Sequence, residues 1–364
     1  MRSASVRRAK RTLTALVLIF VLSFTAVFAE TEPQAENTGD AVQTEVTGQT
    51  DESAGQVTET QQDTSAETQT PTVSAPQAKI IKKGKYYYYK GANGKIRKKA
   101  GFVTVDGKRY YVRKGGKIRT SATFKVSKKY YRANKYGVIM TGVYKWKGYY
   151  NYSDTKGVWK KTAGFVTWNG SRYYVKKGGR IITNDGFTVS NIAYVANKSG
   201  QAQKVVLPED SNAVIEVARK QVGIMTGKTY WVWYYKTKFR DTDRTPWCGA
   251  FVAWIYNEAG LYDLISVAKK YGPLGYVPSY SRYADKYNKW IDKKTARAGD
   301  IIVFGRNVHV GLVEGIYGDY IVTIEGNAGP TAAIGSGKPG AVVRKIYKLN
   351  SSKIKGVIRV MDHS

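Results

Sequence analysis

Cys248 is the only cysteine in the 364-residue chain, and His309 and His363 are its only histidines. A thiol and an imidazole suffice for nucleophilic catalysis, the thiolate attacking while the imidazole carries its proton. His363 stands one residue from the C-terminus, so His309 is the histidine expected inside folded structure. Cys248 lies in Pro246-Trp247-Cys248-Gly249-Ala250-Phe251, ahead of the apolar run VAWIYNEAG. Proline disfavours helix before it, which places Cys248 at or near a helix N-terminus. There the unpaired N–H groups and the helix dipole favour a thiolate, and the same groups can hold an oxyanion.

His309 sits in Asn307-Val308-His309-Val310-Gly311-Leu312-Val313. Strand alternation predicts Val308, Val310 and Leu312 on one face, toward a core, with His309 and Gly311 on the other. The next run, Ile321-Val322-Thr323-Ile324-Glu325-Gly326-Asn327, turns Val322 and Ile324 inward and puts Glu325 and Asn327 together on the opposite face. If the two strands pair, an acid and an amide lie beside the imidazole, and a group that orients the base is what an activated nucleophile needs. Asp241 and Asp243 form an Asp-x-Asp spacing just before the cysteine. Two carboxylates are too few to define a calcium site and read first as a loop kept soluble by charge, so no metal or cofactor is assigned and calcium at Asp241 and Asp243 stays open.

The elements that must carry these residues fall in 206–364. Helices are expected at 211–223, with a Ser or Asn cap and a closing glycine, at 248–260, and over 279–290. Short β-rich runs follow at 300–304, 308–314, 320–325, 341–347 and 356–361. Helices first and strands later predict an α+β domain with an antiparallel sheet.

Ahead of it the composition changes three times. Residues 1–29 hold five basic groups and no acid, and an apolar run ends in Val27-Phe28-Ala29. This reads as a secretory signal cleaved after Ala29, and export marks a lone cysteine as a reactive thiol or an intermolecular bridge, since Cys248 cannot form an internal disulfide. Residues 30–78 carry ten acids, no base and no aromatic, the composition of a disordered acidic linker. Residues 79–205 carry 31 basic groups against three acids, an excess of +28 within a chain total of +32. Such a field draws polyanions.

Tyrosine pairs recur in that basic segment at Tyr87-Tyr88, Tyr110-Tyr111, Tyr130-Tyr131, Tyr149-Tyr150 and Tyr173-Tyr174, with Tyr194 as a weaker sixth. AGFVTVDGKRYYVRKGGKIRT from Ala100 matches AGFVTWNGSRYYVKKGGRIIT from Ala163 at 15 of 21 positions, an offset of 63. This is a repeat array. Each unit reads as two short strands around a turn such as Asp106-Gly107, an all-β hairpin that must stack on its neighbours to gain a core.

The hairpin units of 79–205 resemble the Tyr- and Gly-rich wall-binding repeats related to choline- and glucan-binding repeats, though they are poorer in Trp and richer in Lys. The trio PWCGAFV, GDIIVFGRNVHVGLV and IEGN, covering roughly 206–364, is similar to the CHAP family, the cysteine- and histidine-dependent amidohydrolases/peptidases with a papain-like arrangement. That resemblance implies Cys248 as nucleophile, His309 as general base, and Glu325 and Asn327 as the groups that orient and polarise the imidazole. It implies a secreted, cell-wall-associated peptidoglycan hydrolase of Gram-positive type. The bond cut would be either that between the glycan's lactyl group and L-Ala or one within the peptide. Some relatives use an Asp-x-Asp pair for calcium. Peptidoglycan is the expected partner, with anionic wall polymers held by the basic repeats. Neither nucleic acid nor stable membrane insertion after signal cleavage is expected. Two alternatives stay open: a non-catalytic wall-binding or adhesion protein, and a secreted papain-like protease acting on proteins.

Overall fold

The computed structural model describes residues 77–238, 246–329 and 340–361, all within one compact unit, Thr72–Ser364. The signal segment, all but two residues of the acidic linker, Asp241, Asp243 and His363 lie outside the described residues.

Six antiparallel hairpins follow one another: β1 (Lys79–Lys83) with β2 (Tyr86–Lys90), β3 (Gly101–Val105) with β4 (Lys108–Val112), β5 (Ala122–Val126) with β6 (Lys129–Ala133), β7 (Gly142–Trp146) with β8 (Tyr149–Ser153), β9 (Gly164–Trp168) with β10 (Ser171–Val175), and β11 (Asp185–Val189) with β12 (Ile192–Ala196). A short strand β13 (Ala202–Lys204) adds to the last. The two-residue turns are tight: Asp106 and Gly107 have φ of 47° and 68°, and Asn169 and Gly170 of 46° and 70°. Both residues of such a turn are left-handed, which matches the twist of the flanking strands.

No hairpin of five-residue strands is stable alone, and the links between units are visible. After each unit one residue turns back to the preceding hairpin: Ile118 N–H donates to Tyr87 O, Ile139 to Arg109 O, Trp159 to Tyr130 O and Ile181 to Tyr150 O, at 2.8–2.9 Å. Aromatic rings fill the gaps. Phe102 packs on Tyr111 and Tyr131 at 5.0 and 4.8 Å, and the residues 63 positions on repeat this, Phe165 on Tyr174 and Tyr194 at 5.0 and 4.9 Å. The sequence offset is thus a structural repeat.

The C-terminal region starts with α1 (Ala213–Gln221), capped by Asn212, whose side chain accepts from Ile215 N–H at 3.1 Å. It continues through α2 (Lys228–Tyr235), α3 (Cys248–Glu258), α4 (Tyr262–Ser266), a 3-10 turn and α5 (Pro278–Lys286). Then come β14 (Trp290–Ile291), β15 (Ile301–Phe304), β16 (His309–Tyr317), β17 (Tyr320–Ala328), β18 (Ala341–Lys348) and β19 (Ile354–Ile358). The six strands form one antiparallel sheet in the order β14-β19-β15-β16-β17-β18. The architecture is α+β, as the sequence predicts. Helix α2, with the sequence KTYWVWYY, was not expected, because a nearly continuous aromatic run shows no helical period.

Alternating residues of the sheet reach two apolar layers. Val310, Leu312, Ile324 and Val342 pack against α3 and its neighbours, together with Phe251 and Ile255. Ile302, Phe304, Val313, Ile321 and Val357 form a smaller layer on the other face. Val308 corrects the expected alternation: it lies in the turn before β16 and is 57% exposed, outside the core. Positive φ at Gly305 and Asn307, 56° and 63°, ends the strand pattern there. The last hairpin docks on the sheet edge, where Ala193 joins Tyr320, Val322 and Ile346, and Arg344 donates to Asn191 O at 2.8 Å.

Candidate active site

Cys248 is the first residue of α3, 1% exposed. Its placement follows from the residues beside it. Trp247 is buried and stacks on Tyr230 at 5.2 Å, so the helix must begin just after a fixed indole. Trp247 supplies no side-chain cap, and the first intrahelical bond is from Phe251 N–H to Trp247 O at 2.8 Å. The N–H groups ahead of Phe251 therefore lack an intrahelical acceptor. Gly249 permits close packing, since a Cβ there would come within 2.3 Å of Leu274 O. Tyr280, buried, donates to Gly249 O at 3.1 Å and pins the first turn.

His309 begins β16. The turn before it is tied down by Asn307, whose Oδ1 accepts from Ser281 of α5 at 2.7 Å and from Lys355 of β19 at 2.8 Å. The Phe304 ring packs on the imidazole at 5.6 Å. His309 Nε2 is 2.9 Å from Glu325 Oε2, and the imidazole is also hydrogen-bonded to the Cys248 side chain. With Nε2 taken by the carboxylate, Nδ1 is left to meet the sulfur.

Glu325 is fully buried yet well partnered. Oε1 accepts from Thr323 Oγ1 at 2.7 Å and from Tyr347 OH at 2.9 Å, and Oε2 meets His309 and, at 3.1 Å, Lys345 Nζ. Burial would raise its pKa, but His309, Lys345 and Thr323 outweigh burial and hold it at about 2. The reverse applies to His309. Burial would lower its pKa, but the bonds to Cys248 and Glu325 and their charges raise it from 6.5 to about 9. An imidazolium thus lies between a buried carboxylate and the sulfur at neutral pH.

The approach of Glu325 to His309 needs a glycine. In the register that pairs Leu312 with Ile324, Gly311 lies beside Glu325, and a Cβ there would be 2.8 Å from Glu325 Cγ. Asn327 sits differently from the simple alternation. A bulge between Glu325 and Ala328 interrupts the pairing with β18, and Asn327 has φ of 52°. It lines a cavity of about 170 Å³ with Pro246, Cys248, Val308, His309 and Lys345, whereas Glu325 is the group bonded to Nε2. All four candidate residues are therefore brought together, with Asn327 at the cavity wall.

Thr323, Lys345 and Tyr347 were not singled out from sequence. Thr323 shares the face of Glu325 by alternation, and it is the polar residue in a strand otherwise apolar at that point. Lys345 and Tyr347 belong to β18, and only its register, Thr323 opposite Lys345 and Ile321 opposite Tyr347, brings them in. Among the described residues no group of three or more His, Cys, Asp or Glu side chains could hold a metal ion.

Residues 240–327 match the family model described as CHAP domain. Among solved structures the chain is similar to choline binding protein F from Streptococcus pneumoniae, at 24% identity over 38% of this chain and 45% of that one, TM-score 0.30. It is similar to CbpJ from Streptococcus pneumoniae TIGR4, at 22% over 37% and 46%, TM-score 0.30. The cell wall endolysin from phage Cp-1 complexed with choline matches at 21% over 36% and 39%, TM-score 0.26. The chain spans less than half the length of each. No curated protein is significantly similar to it. Cys248, His309, Glu325 and Asn327 all fall inside the stretch that matches the CHAP domain model, residues 240–327.

Proposed function

We propose that this protein is a secreted peptidoglycan hydrolase that cuts amide bonds through a Cys248–His309 pair. The observation that carries the reading is the chain of contacts from the Cys248 side chain through the imidazole to buried Glu325, at the start of a helix with no side-chain cap. In this reading residues 1–29 direct export, 30–78 form a linker, 79–205 hold the wall, and 206–364 cut it.

The chemistry is acyl transfer. The Cys248 thiolate attacks the amide carbonyl, and the oxyanion that forms is held by N–H groups of the first turn of α3. His309, already protonated at neutral pH, gives its proton to the leaving amine as the C–N bond breaks. Water then attacks the thioester, its proton passing to His309 as the C–S bond breaks, and the acid product leaves with the thiolate restored. Glu325 holds Nε2–H, so the imidazole presents Nδ1 to the reaction, and it stabilises the imidazolium at each stage. Asn327 lines the same small cavity and orients the substrate side of the imidazole. The bond cut is either lactyl–L-Ala or one within the peptide. Digestion of purified peptidoglycan by the full chain, with Cys248→Ala as control, tests this reading. Soluble fragments should appear with the first and not with the second.

A further inference from the structure

The repeat array holds a cavity of about 510 Å³ whose lining no unit of the array repeats. It is formed by the third and fourth hairpins and the segments after the fourth and fifth, and it includes Arg132, Trp146, Tyr149, Asn151, Trp159 and Arg180. Its size falls in the range of small-molecule sites.

The sequence departs from the repeat here. By strand position Arg132 stands where Tyr111, Tyr152 and Tyr174 stand in β4, β8 and β10. Asn151 stands where Tyr110, Tyr131, Tyr173 and Tyr194 do, and Trp159 takes the place of Ile118, Ile139 and Ile181. Two rings are thus exchanged for an arginine and an amide, and a core isoleucine for an indole. Gly179 makes room for that indole, since a Cβ there would be 2.6 Å from it.

Arg132 is the feature that points to a ligand. It is 7% exposed, its guanidinium lies 3.6 Å over the Trp159 ring and 5.2 Å over Trp146, and its Nε and Nη1 are buried without a hydrogen-bond acceptor. Tyr144 is hydrogen-bonded to it, and no lining residue is acidic. Arg180, exposed and stacked 3.6 Å over Tyr149, and Lys147 add two more cations. A buried cation without a counter-ion is costly, and the missing partner is an anion. Indole and phenol faces beside hydroxyls and an amide suit the C–H faces and hydroxyls of a sugar ring.

We propose that this cavity binds a sugar residue bearing an oxyanion, a carboxylate or a phosphate. The site rests on the reading of the array as an anion binder, and it replaces a diffuse field with one place on the chain. Bidentate pairing with a guanidinium fork suits either oxyanion.

The test is calorimetric titration of the full chain with glucuronate, glucose 6-phosphate and glucose at constant ionic strength. Saturable binding of at least one anionic sugar and none of glucose is expected, and which of the two binds identifies the oxyanion. Arg180→Gln, at an exposed position, should weaken that binding at least about tenfold, as should Arg132→Gln. Lys95→Gln, outside the cavity, should not. Absence of saturable binding, equal binding of glucose, or unchanged affinity in Arg180→Gln would overturn the site whether or not Arg132→Gln folds. A wild type that binds no sugar, with an Arg132→Gln variant that only loses thermal stability, would make Arg132 a pillar between two indoles. Retention of the Cys248→Ala chain on whole walls at low salt separates the two claims. Retention without sugar binding would sink the cavity alone, and loss of both would sink the anion-binding reading with it.

Discussion

Glu325→Gln keeps the shape of the buried side chain and removes its charge, and its consequences can be worked through atom by atom. Thr323 and Tyr347 both donate to Oε1, so the amide oxygen will stay with them. The amide nitrogen then faces His309 Nε2 and Lys345, a donor where a carboxylate oxygen had accepted. Neutral His309 must turn its acceptor to Nε2 and keep its proton on Nδ1, so it can no longer take a proton from Cys248. The rise of the His309 pKa from 6.5 to about 9 corresponds to a preference for the imidazolium on the order of 3 kcal/mol. An opposite charge at this range moves a pKa by about 1–3, so without it the midpoint should fall to between about 6 and 8. Turnover should drop about 10²-fold or more. The assay is a pH titration of the histidine Cε1–H resonances by NMR, which is simple because the chain has two histidines and His363 serves as reference. The wild-type His309 midpoint is expected near 9. A Glu325→Gln midpoint equal to that of wild type, or a wild-type midpoint below 6.5, would refute the reasoning.

Stability should follow the same charges. The His309 contribution, from a raised pKa, is complete below pH 6.5 and is lost as pH rises through about 9, whereas that of Glu325, from a lowered one, is complete above pH 4.5 and is lost as pH falls through about 2. Denaturant midpoints across pH should show both flanks in wild type, and Glu325→Gln should lose the acid flank and shrink the alkaline one. Cys248→Ala and His309→Ala should each abolish hydrolysis with the fold kept, and the double variant should lose no more than either, because the pair acts as one unit. Gly311→Ala should push Glu325 off His309, costing about 1–3 kcal/mol of stability by overpacking and lowering the His309 midpoint, both measurable on one sample. Asn327→Ala should reduce turnover and leave the His309 midpoint in place, since Glu325 holds Nε2. The isolated 79–205 array should bind walls at low salt and release much of itself at 1 M, where the Debye length shrinks from about 10 Å to about 3 Å, and retention unchanged by salt would give recognition to the tyrosines.

Local signals account for what the sequence disclosed. Asp-Gly turns and tyrosine pairs mark the hairpins, a proline before Trp247-Cys248 marks the start of α3, and alternation in β16 and β17 brings His309 and Glu325 to one face. What escaped depends on register and backbone exceptions. Positive φ at Asn307 moves Val308 out of the strand, and a bulge with positive φ at Asn327 breaks the period that paired it with Glu325. Lys345 and Tyr347 could not be seen without knowing which strand lies beside β17. The buried Arg132 was hidden for another reason: one arginine among 31 basic residues of the array carries no mark of burial.

The most direct measurement is mass spectrometry of the fragments released from purified peptidoglycan by the full chain and by Cys248→Ala. Wild type should release fragments with new amino termini and no new reducing sugar ends, and the variant should release none. New reducing ends, or release by Cys248→Ala, would contradict this reading.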